Sequence, residues 1–120
     1  MSTWNLEETQ CHLLLCNGSS CMRSQGEEVT QAIREEIKAL GADSRIHTTR
    51  TRCNGRCQDA CVVIAYPAGL WYRDMTPELG RELIRKLAAD EMLEEQLVYS
   101  YQERFVASGQ SVPGTNKMAN

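Results

Sequence analysis

The stretch Cys53-Asn54-Gly55-Arg56-Cys57 sets two cysteines around a short glycine-containing loop, and a second cysteine pair, Cys16 and Cys21, precedes it in the chain. Four thiolates from two loops suit either tetrahedral zinc or an iron–sulfur cluster, because both accept four cysteine ligands. The glycines of the two loops, Gly18 and Gly55, let backbone amides approach the sulfur atoms closely. The spacings therefore predict one metal centre with four cysteine ligands, and by themselves they leave zinc and iron–sulfur open.

Apolar runs beside both loops predict the strands of a sheet. Cys11–Cys16 is an apolar run that ends in a turn sequence, which indicates a buried strand. Val62–Tyr66 is a β-branched run, and Pro67–Gly69 connects it to Leu70–Arg73, which predicts a hairpin. Ser44–Arg52 is rich in threonine and arginine, so we expect a partly exposed strand there.

Two helices are predicted from their start signals and apolar periods. Ser24–Glu27 has capping-box spacing and opens a helix over about residues 25–40. Thr76-Pro77-Glu78 opens a second helix, which we expect to run to about Ala89. Residues 91–99 either extend that helix or form a separate one. The resulting order, β-α-β-β-β-α, predicts an α/β fold of the thioredoxin-like kind, with an open mixed sheet and two main helices.

Length and charge restrict the classes of protein. At 120 residues the chain is predicted to form one domain over residues 11–98, with a polar lead at 1–10 and a tail at 99–120 whose end is flexible. The start shows no secretory signal and no apolar run is long enough to span a membrane, so we expect a cytoplasmic protein with no membrane partner. A net charge of −3 argues against a nucleic-acid partner.

A set of motifs covers about residues 11–98, most of the chain. Its parts are Cys16-x4-Cys21, Cys53-x-Gly55-x-Cys57-x-x-Ala60, a valine-rich strand, Tyr66-Pro67, Gly69, Trp71-Tyr72 and Thr76-Pro77-Glu78. Together they resemble the thioredoxin-like [2Fe-2S] ferredoxins, whose cysteine pattern also occurs in the small iron–sulfur subunit of respiratory complex I. The resemblance implies a [2Fe-2S] cluster near the surface, with Cys16, Cys21, Cys53 and Cys57 as its ligands. It also implies a one-electron carrier that is not an enzyme, a redox protein partner and a homodimer.

The opening of the first loop adds a finer resemblance. Cys16-Asn17-Gly18-Ser19-Ser20-Cys21-Met22-Arg23 is similar to the same stretch in small ferredoxins found beside genes for corrin (cobalamin) synthesis. This similarity implies electron delivery to a redox enzyme of that pathway.

The two remaining cysteines need separate interpretation. Cys61 stands where the family usually has proline, so Cys57 and Cys61 are an alternative ligand pair. We favour Cys53 and Cys57 because Gly55 lies between them and because Cys61 leads directly into an apolar strand. We interpret Cys61 and Cys11 as small buried hydrophobic residues, with a spare ligand or a redox-sensing thiol as the alternative.

Other residues suggest competing sites. His12 and His47 would be needed for a Rieske-type centre, but neither lies in a cysteine loop, so we expect structural or exposed roles. Arg50, Arg52 and Arg56 crowd the second loop, where they form either a basic rim that steers an acidic redox partner or an ordinary solvated surface.

Two further functions compete with electron transfer. A structural zinc module with four cysteine ligands would bind a protein partner and would be colourless. A thiol–disulfide enzyme would fit the element order, but the chain contains no Cys-x-x-Cys.

Overall fold

A computed structural model describes residues 3–109 and 111–117. Its six-stranded sheet has the order β2-β1-β3-β4-β5-β6, with β1 and β2 parallel and every other neighbouring pair antiparallel. The strands are β1 Cys11–Cys16, β2 Ile46–Thr51, β3 Val63–Tyr66, β4 Leu70–Tyr72, β5 Leu97–Tyr101 and β6 Phe105–Ala107. The helices are α1 Ser19–Arg23, α2 Gly26–Ala39 and α3 Pro77–Ala88. The predicted α/β class, with an open mixed sheet and two main helices, is confirmed.

The core lies between one face of the sheet and the two long helices. Residues that point to this face from neighbouring strands, Leu13, Val63 and Tyr72 among them, are fully buried. The helix α2 lies over the same face, because Arg34 donates to Thr48 and Glu27 binds Arg50. The helix α3 packs in turn on α2, with Gly80 against Ile33. This packing holds the carboxyl ends of β1 and β2 in place.

The opposite face of the sheet, which we call the open face, is less covered. Leu14, Tyr66, Trp71 and Tyr99 are half-buried around the buried Ile64. Trp71 and Phe105 meet edge to face, with their ring centroids 6.1 Å apart. The open face therefore presents a layer of apolar and aromatic side chains.

Of the two predicted helix N-caps, the one for α3 is confirmed and the one for α2 is wrong. Thr76 caps α3 as predicted, its hydroxyl accepting a hydrogen bond of 3.1 Å from the backbone N–H of Leu79. Ser24 does not cap α2, because the short helix α1 ends there and the N-cap position falls on Gln25. Gln25 adopts a φ of 71°, which turns the chain between the two helices and makes no side-chain cap.

The sheet continues past the predicted domain end at residue 98. A single 3₁₀ turn at Glu94–Gln96 leads into β5, so residues 91–99 neither extend α3 nor form a separate α-helix. Then β6 adds an edge strand that ends at Ala107. The flexible end of the tail stays a prediction, and residues 110 and 118–120, like residues 1–2 of the lead, lie outside the described residues. None of the helices within 3–109 and 111–117 has the length and apolar character needed to cross a membrane.

Candidate metal centre

The two cysteine loops meet at the carboxyl ends of the parallel strands β1 and β2. Cys16 is the last residue of β1 and pairs with Thr51, the last residue of β2. The loop that carries Cys53 and Cys57 therefore leaves the sheet directly beside Cys16. The Cys16 Sγ lies 3.6 Å from the carbonyl oxygen of Arg52, which joins the first loop to the start of the second.

A small cavity at this junction is lined by all four predicted ligands, Cys16, Cys21, Cys53 and Cys57. Its other lining residues are Ser20, Asn54, Arg56 and Val62. The short helix α1 brings Cys21 back toward Cys16, because its first turn begins just after Gly18. The structure thus collects at one place four cysteines that the sequence separates by up to about forty residues.

Close contact between the loops depends on Gly18. A Cβ added to Gly18 would lie 2.7 Å from the Cα and 2.8 Å from the backbone nitrogen of Cys53. Because both of those atoms belong to the backbone, they cannot rotate away as a side chain would. Only glycine allows the first loop to lie this close to the second.

The sulfur atoms form two pairs. The Sγ atoms of Cys53 and Cys57 lie 3.4 Å apart on the exposed side of the cavity. Cys16 and Cys21 are buried, and their thiols hydrogen-bond each other. Among residues 3–109 and 111–117, no three His, Cys, Asp or Glu side chains converge to hold a single metal ion.

This donor set fits a two-iron cluster. A [2Fe-2S] cluster takes four cysteine ligands shared between two irons, so two sulfur pairs suit it. A structural zinc site instead surrounds one ion tetrahedrally with all four ligands. The two sulfur pairs therefore fit a [2Fe-2S] cluster.

Hydrogen-bond donors surround the sulfur atoms. The backbone N–H of Gly55 donates to the Sγ of Cys53 across 3.3 Å, in a turn where Gly55 has a φ of 84°. Burial raises the pKa of the Cys16 thiol, but hydrogen bonds from the Gly18 backbone, Cys21 and Asn54 outweigh burial and bring that pKa below its ordinary value. Such donors stabilise negative charge on sulfur. Asn54 is not among the site residues predicted from the sequence, although its position between Cys53 and Gly55 places it in the second cysteine loop.

The other two cysteines lie outside the cavity lining. Cys61 is buried with its thiol against that of Cys21, and burial raises its pKa to about 11. Cys11 lies at the opposite end of β1, and burial likewise raises its pKa to about 11. The surroundings of Cys61 suit a protonated, small buried side chain, whereas Cys11 is half-buried rather than buried as predicted.

The two histidines and two of the three arginines, Arg50 and Arg52, are not among the residues that line the cavity. The rings of His12 and His47 lie 5.0 Å apart in the strands β1 and β2, and His12 Nε2 is 2.7 Å from the Thr49 hydroxyl. Arg50 makes two hydrogen bonds, of 2.8 and 2.9 Å, with the carboxylate of Glu27. Of the predicted basic rim, Arg56 is the member that lines the cavity.

Comparison with known proteins decides the family. The family model described as thioredoxin-like [2Fe-2S] ferredoxin matches residues 4–88. The chain belongs to the thioredoxin-like [2Fe-2S] ferredoxin family. Proteins of this family are electron carriers rather than enzymes, and their cofactor is a [2Fe-2S] cluster. Electron transfer requires a redox partner. The carrier function and the [2Fe-2S] cofactor both match what the sequence resemblance implied.

Relatives and solved structures agree with this family. A Priestia megaterium protein described as a 2Fe-2S ferredoxin is 47% identical over 98% of this chain and 95% of its own length. A Clostridium pasteurianum protein described as "Ferredoxin, 2Fe-2S" is 26% identical over 63% of this chain and 74% of its own. The 1.5 Å crystal structure of the wild-type thioredoxin-like [2Fe-2S] ferredoxin from Aquifex aeolicus superposes with a TM-score of 0.69 at 27% identity, covering 75% of this chain and 97% of that one. The predicted thioredoxin-like fold is confirmed.

Proposed function

We propose that Cys16, Cys21, Cys53 and Cys57 hold the [2Fe-2S] cluster of this ferredoxin, and that the protein delivers single electrons to a redox protein. The observation that carries the proposal is the cavity where all four cysteines meet in two pairs. When bound there, the cluster accepts and releases one electron. No observation on the structure favours the zinc module or the thiol–disulfide enzyme over this function.

The surrounding residues would prepare the site for added negative charge. The Gly55 amide and the polar neighbours of Cys16 donate hydrogen bonds to sulfur, and Arg56 contributes a positive charge beside the cavity. Hydrogen bonds to the cluster sulfurs and solvent exposure are the features by which a protein sets a reduction potential. Because Cys53 and Cys57 are exposed, a partner would approach the centre from the second loop.

A reductive titration tests the carrier function. We expect anaerobic protein to take up one electron per cluster from dithionite and to return it on reoxidation, with no change in cysteine oxidation. Uptake of two electrons with cleavage of a disulfide would instead favour thiol–disulfide chemistry.

We further propose that the protein is a homodimer in which the open face packs on the open face of a second copy. Within the six strands, Arg50 is the only charged residue. It points to the helix-covered face and binds Glu27. Apart from Arg56, whose guanidinium lies over the Tyr99 ring and is paired with Asp59, the open face therefore brings no like charges of its strands together when it meets itself. Its half-buried aromatic and aliphatic side chains would lose their remaining exposure to water.

A charge placed on the open face should separate the dimer. We expect Leu14→Lys to lower the mass measured by light scattering from twice the 13.5 kDa chain mass to one chain. The cause is the cost of burying an unpaired ammonium group in an apolar interface. Leu40→Lys, at an exposed position after α2, is the matched control and should stay dimeric. A wild-type protein that is monomeric at micromolar concentration would contradict the proposal.

We also propose a location and a pathway for this function. None of the six cysteines, all of which lie within the described residues 3–109, forms a disulfide, as suits the reducing cytoplasm, where we propose that the protein acts. We also propose that its electrons go to a redox enzyme of corrin (cobalamin) biosynthesis, on the similarity of the stretch Cys16–Arg23 to ferredoxins found beside genes of that pathway. Deleting the gene should then lower corrinoid output, and unchanged output would contradict this assignment.

A further inference from the structure

Arg56 makes contacts that link three distant parts of the chain at the second cysteine loop. Its Nε donates to Asp59 across 2.6 Å, and its guanidinium lies 5.2 Å from the ring centroid of Tyr99 in β5. Its Nη2 donates to the carbonyl oxygen of Val112 across 2.9 Å. The same side chain lines the cavity of the four cysteines, so these contacts are made at the edge of the centre itself.

The chain around Val112 reaches this loop from the far end of the sequence. A Cβ added to Gly114 would lie 2.9 Å from Arg56 Nη1, so the chain passes directly over the guanidinium. Residues 112–117 are otherwise exposed, and Ser111 donates to the carbonyl oxygen of Ser108. We call residues 111–117 the C-terminal strap. The strap lies beyond residues 4–88, the part that matches the family model.

The chemistry of arginine suits this position. The side chain of Asp59 is 4% exposed, and a carboxylate at that depth needs a charged partner with good hydrogen-bond geometry. The guanidinium satisfies Asp59 with one edge while other N–H groups remain free for the Val112 carbonyl and its flat face covers Tyr99. Lysine carries the same charge but has neither the planar fork nor the flat face.

We propose that Arg56 is a positioning residue that fastens the C-terminal strap to the second cysteine loop, and that the fastened strap keeps this loop closed around the metal centre. The inference rests on the proposed ligation by Cys53 and Cys57. The loop between them is short and exposed and contains a glycine with positive φ, so contacts from outside the loop add to its own hydrogen bonds in limiting its opening. Loss of the strap contacts would raise the population of the open loop and with it the rate of cluster loss.

Two variants of the cluster-loaded protein test this role. The first ends the chain at Gly109, which removes the strap but keeps all six strands and the hydrogen bonds of Ser108 to β5. The second is Arg56→Lys, and the two are also combined. The readout is the first-order decay of visible absorbance in air-saturated buffer, with iron release measured in parallel. Arg104→Lys, in the exposed turn between β5 and β6, is the matched control.

The combination of variants gives the deciding result. We expect truncation to speed cluster loss about fivefold, as for one ordinary solvent-exposed hydrogen bond, and Arg56→Lys to speed it about tenfold. The combined variant should decay like Arg56→Lys alone, because both changes remove the same contact. The control should decay like the wild type.

Two results would overturn the proposal. One is a truncated chain that keeps the wild-type rate, and this variant decides the matter even if Arg56→Lys assembles no cluster. The other is a combined variant whose acceleration is the product of the two single effects, about fiftyfold, since independent sites multiply in rate. A wild-type protein that holds no cluster would contradict the proposed function instead, so the two failures are distinguishable.

Discussion

Cys57→Ala is expected to yield protein without bound iron and sulfide, whereas Cys61→Ala should keep the full complement of both. The Sγ of Cys57 lies beside that of Cys53 in the cavity lining, and these two are the exposed ones among the six cysteines, all of which lie within residues 3–109. Cys61 is buried behind Cys21 and does not line the cavity, so its loss should lower the free energy of unfolding by about 1 kcal/mol without removing a ligand.

Iron and sulfide analysis of anaerobically purified variants measures this difference. Cys11→Ala is a useful second control, because Cys11 lies at the other end of β1. If Cys57→Ala kept its cluster and Cys61→Ala lost it, Cys61 would be a ligand in place of Cys57, and the assignment of Cys57 would be wrong.

Gly18→Ala is expected to produce the second large effect, loss of both stability and cluster. Its φ of −64° is acceptable for alanine, so the damage would come from space alone. The new methyl group would lie 2.7 Å from the Cys53 Cα, and the two cysteine loops would have to separate. Overpacking of this kind costs about 1–3 kcal/mol, and the separation would also pull the two sulfur pairs apart.

Urea unfolding of the cluster-free protein and iron analysis of the purified protein measure the two consequences. Gly109→Ala is the matched control, because nothing lies within 4 Å of a Cβ added there. Gly18→Ala protein with unchanged unfolding free energy and a full cluster would show that the loops are not held in the contact described above.

Much of the fold could be predicted from local sequence patterns, because apolar runs, β-branched residues and helix caps determine where these strands and helices form. The apolar run Cys11–Cys16 and the β-branched run before Pro67 became β1 and β3, and Thr76-Pro77 started α3. The strand β5 was not predicted, because it follows the acidic segment Glu91–Gln96. Its alternation of apolar and polar residues is short and begins only at Leu97. The three-residue β6 is stabilised by pairing with β5 rather than by its own sequence.

The candidate site was predictable where the residue type carries the chemistry, and less so where contacts are long-range. The spacing of the cysteines predicts four ligands of one metal centre, and the structure brings these four cysteines together. The contact between Gly18 and Cys53 and the hydrogen bond between Arg56 and Val112 join residues far apart in sequence. Such contacts form only once the sheet is complete, so they cannot be predicted from a local sequence pattern.

The most direct test of the central claim is the metal and sulfide content of protein purified without oxygen, with its visible spectrum. We predict about two irons and two sulfides per chain, negligible zinc, and charge-transfer absorption that bleaches on reduction. Colourless protein containing one zinc per chain would contradict the account, because the four cysteines would then form a structural zinc site.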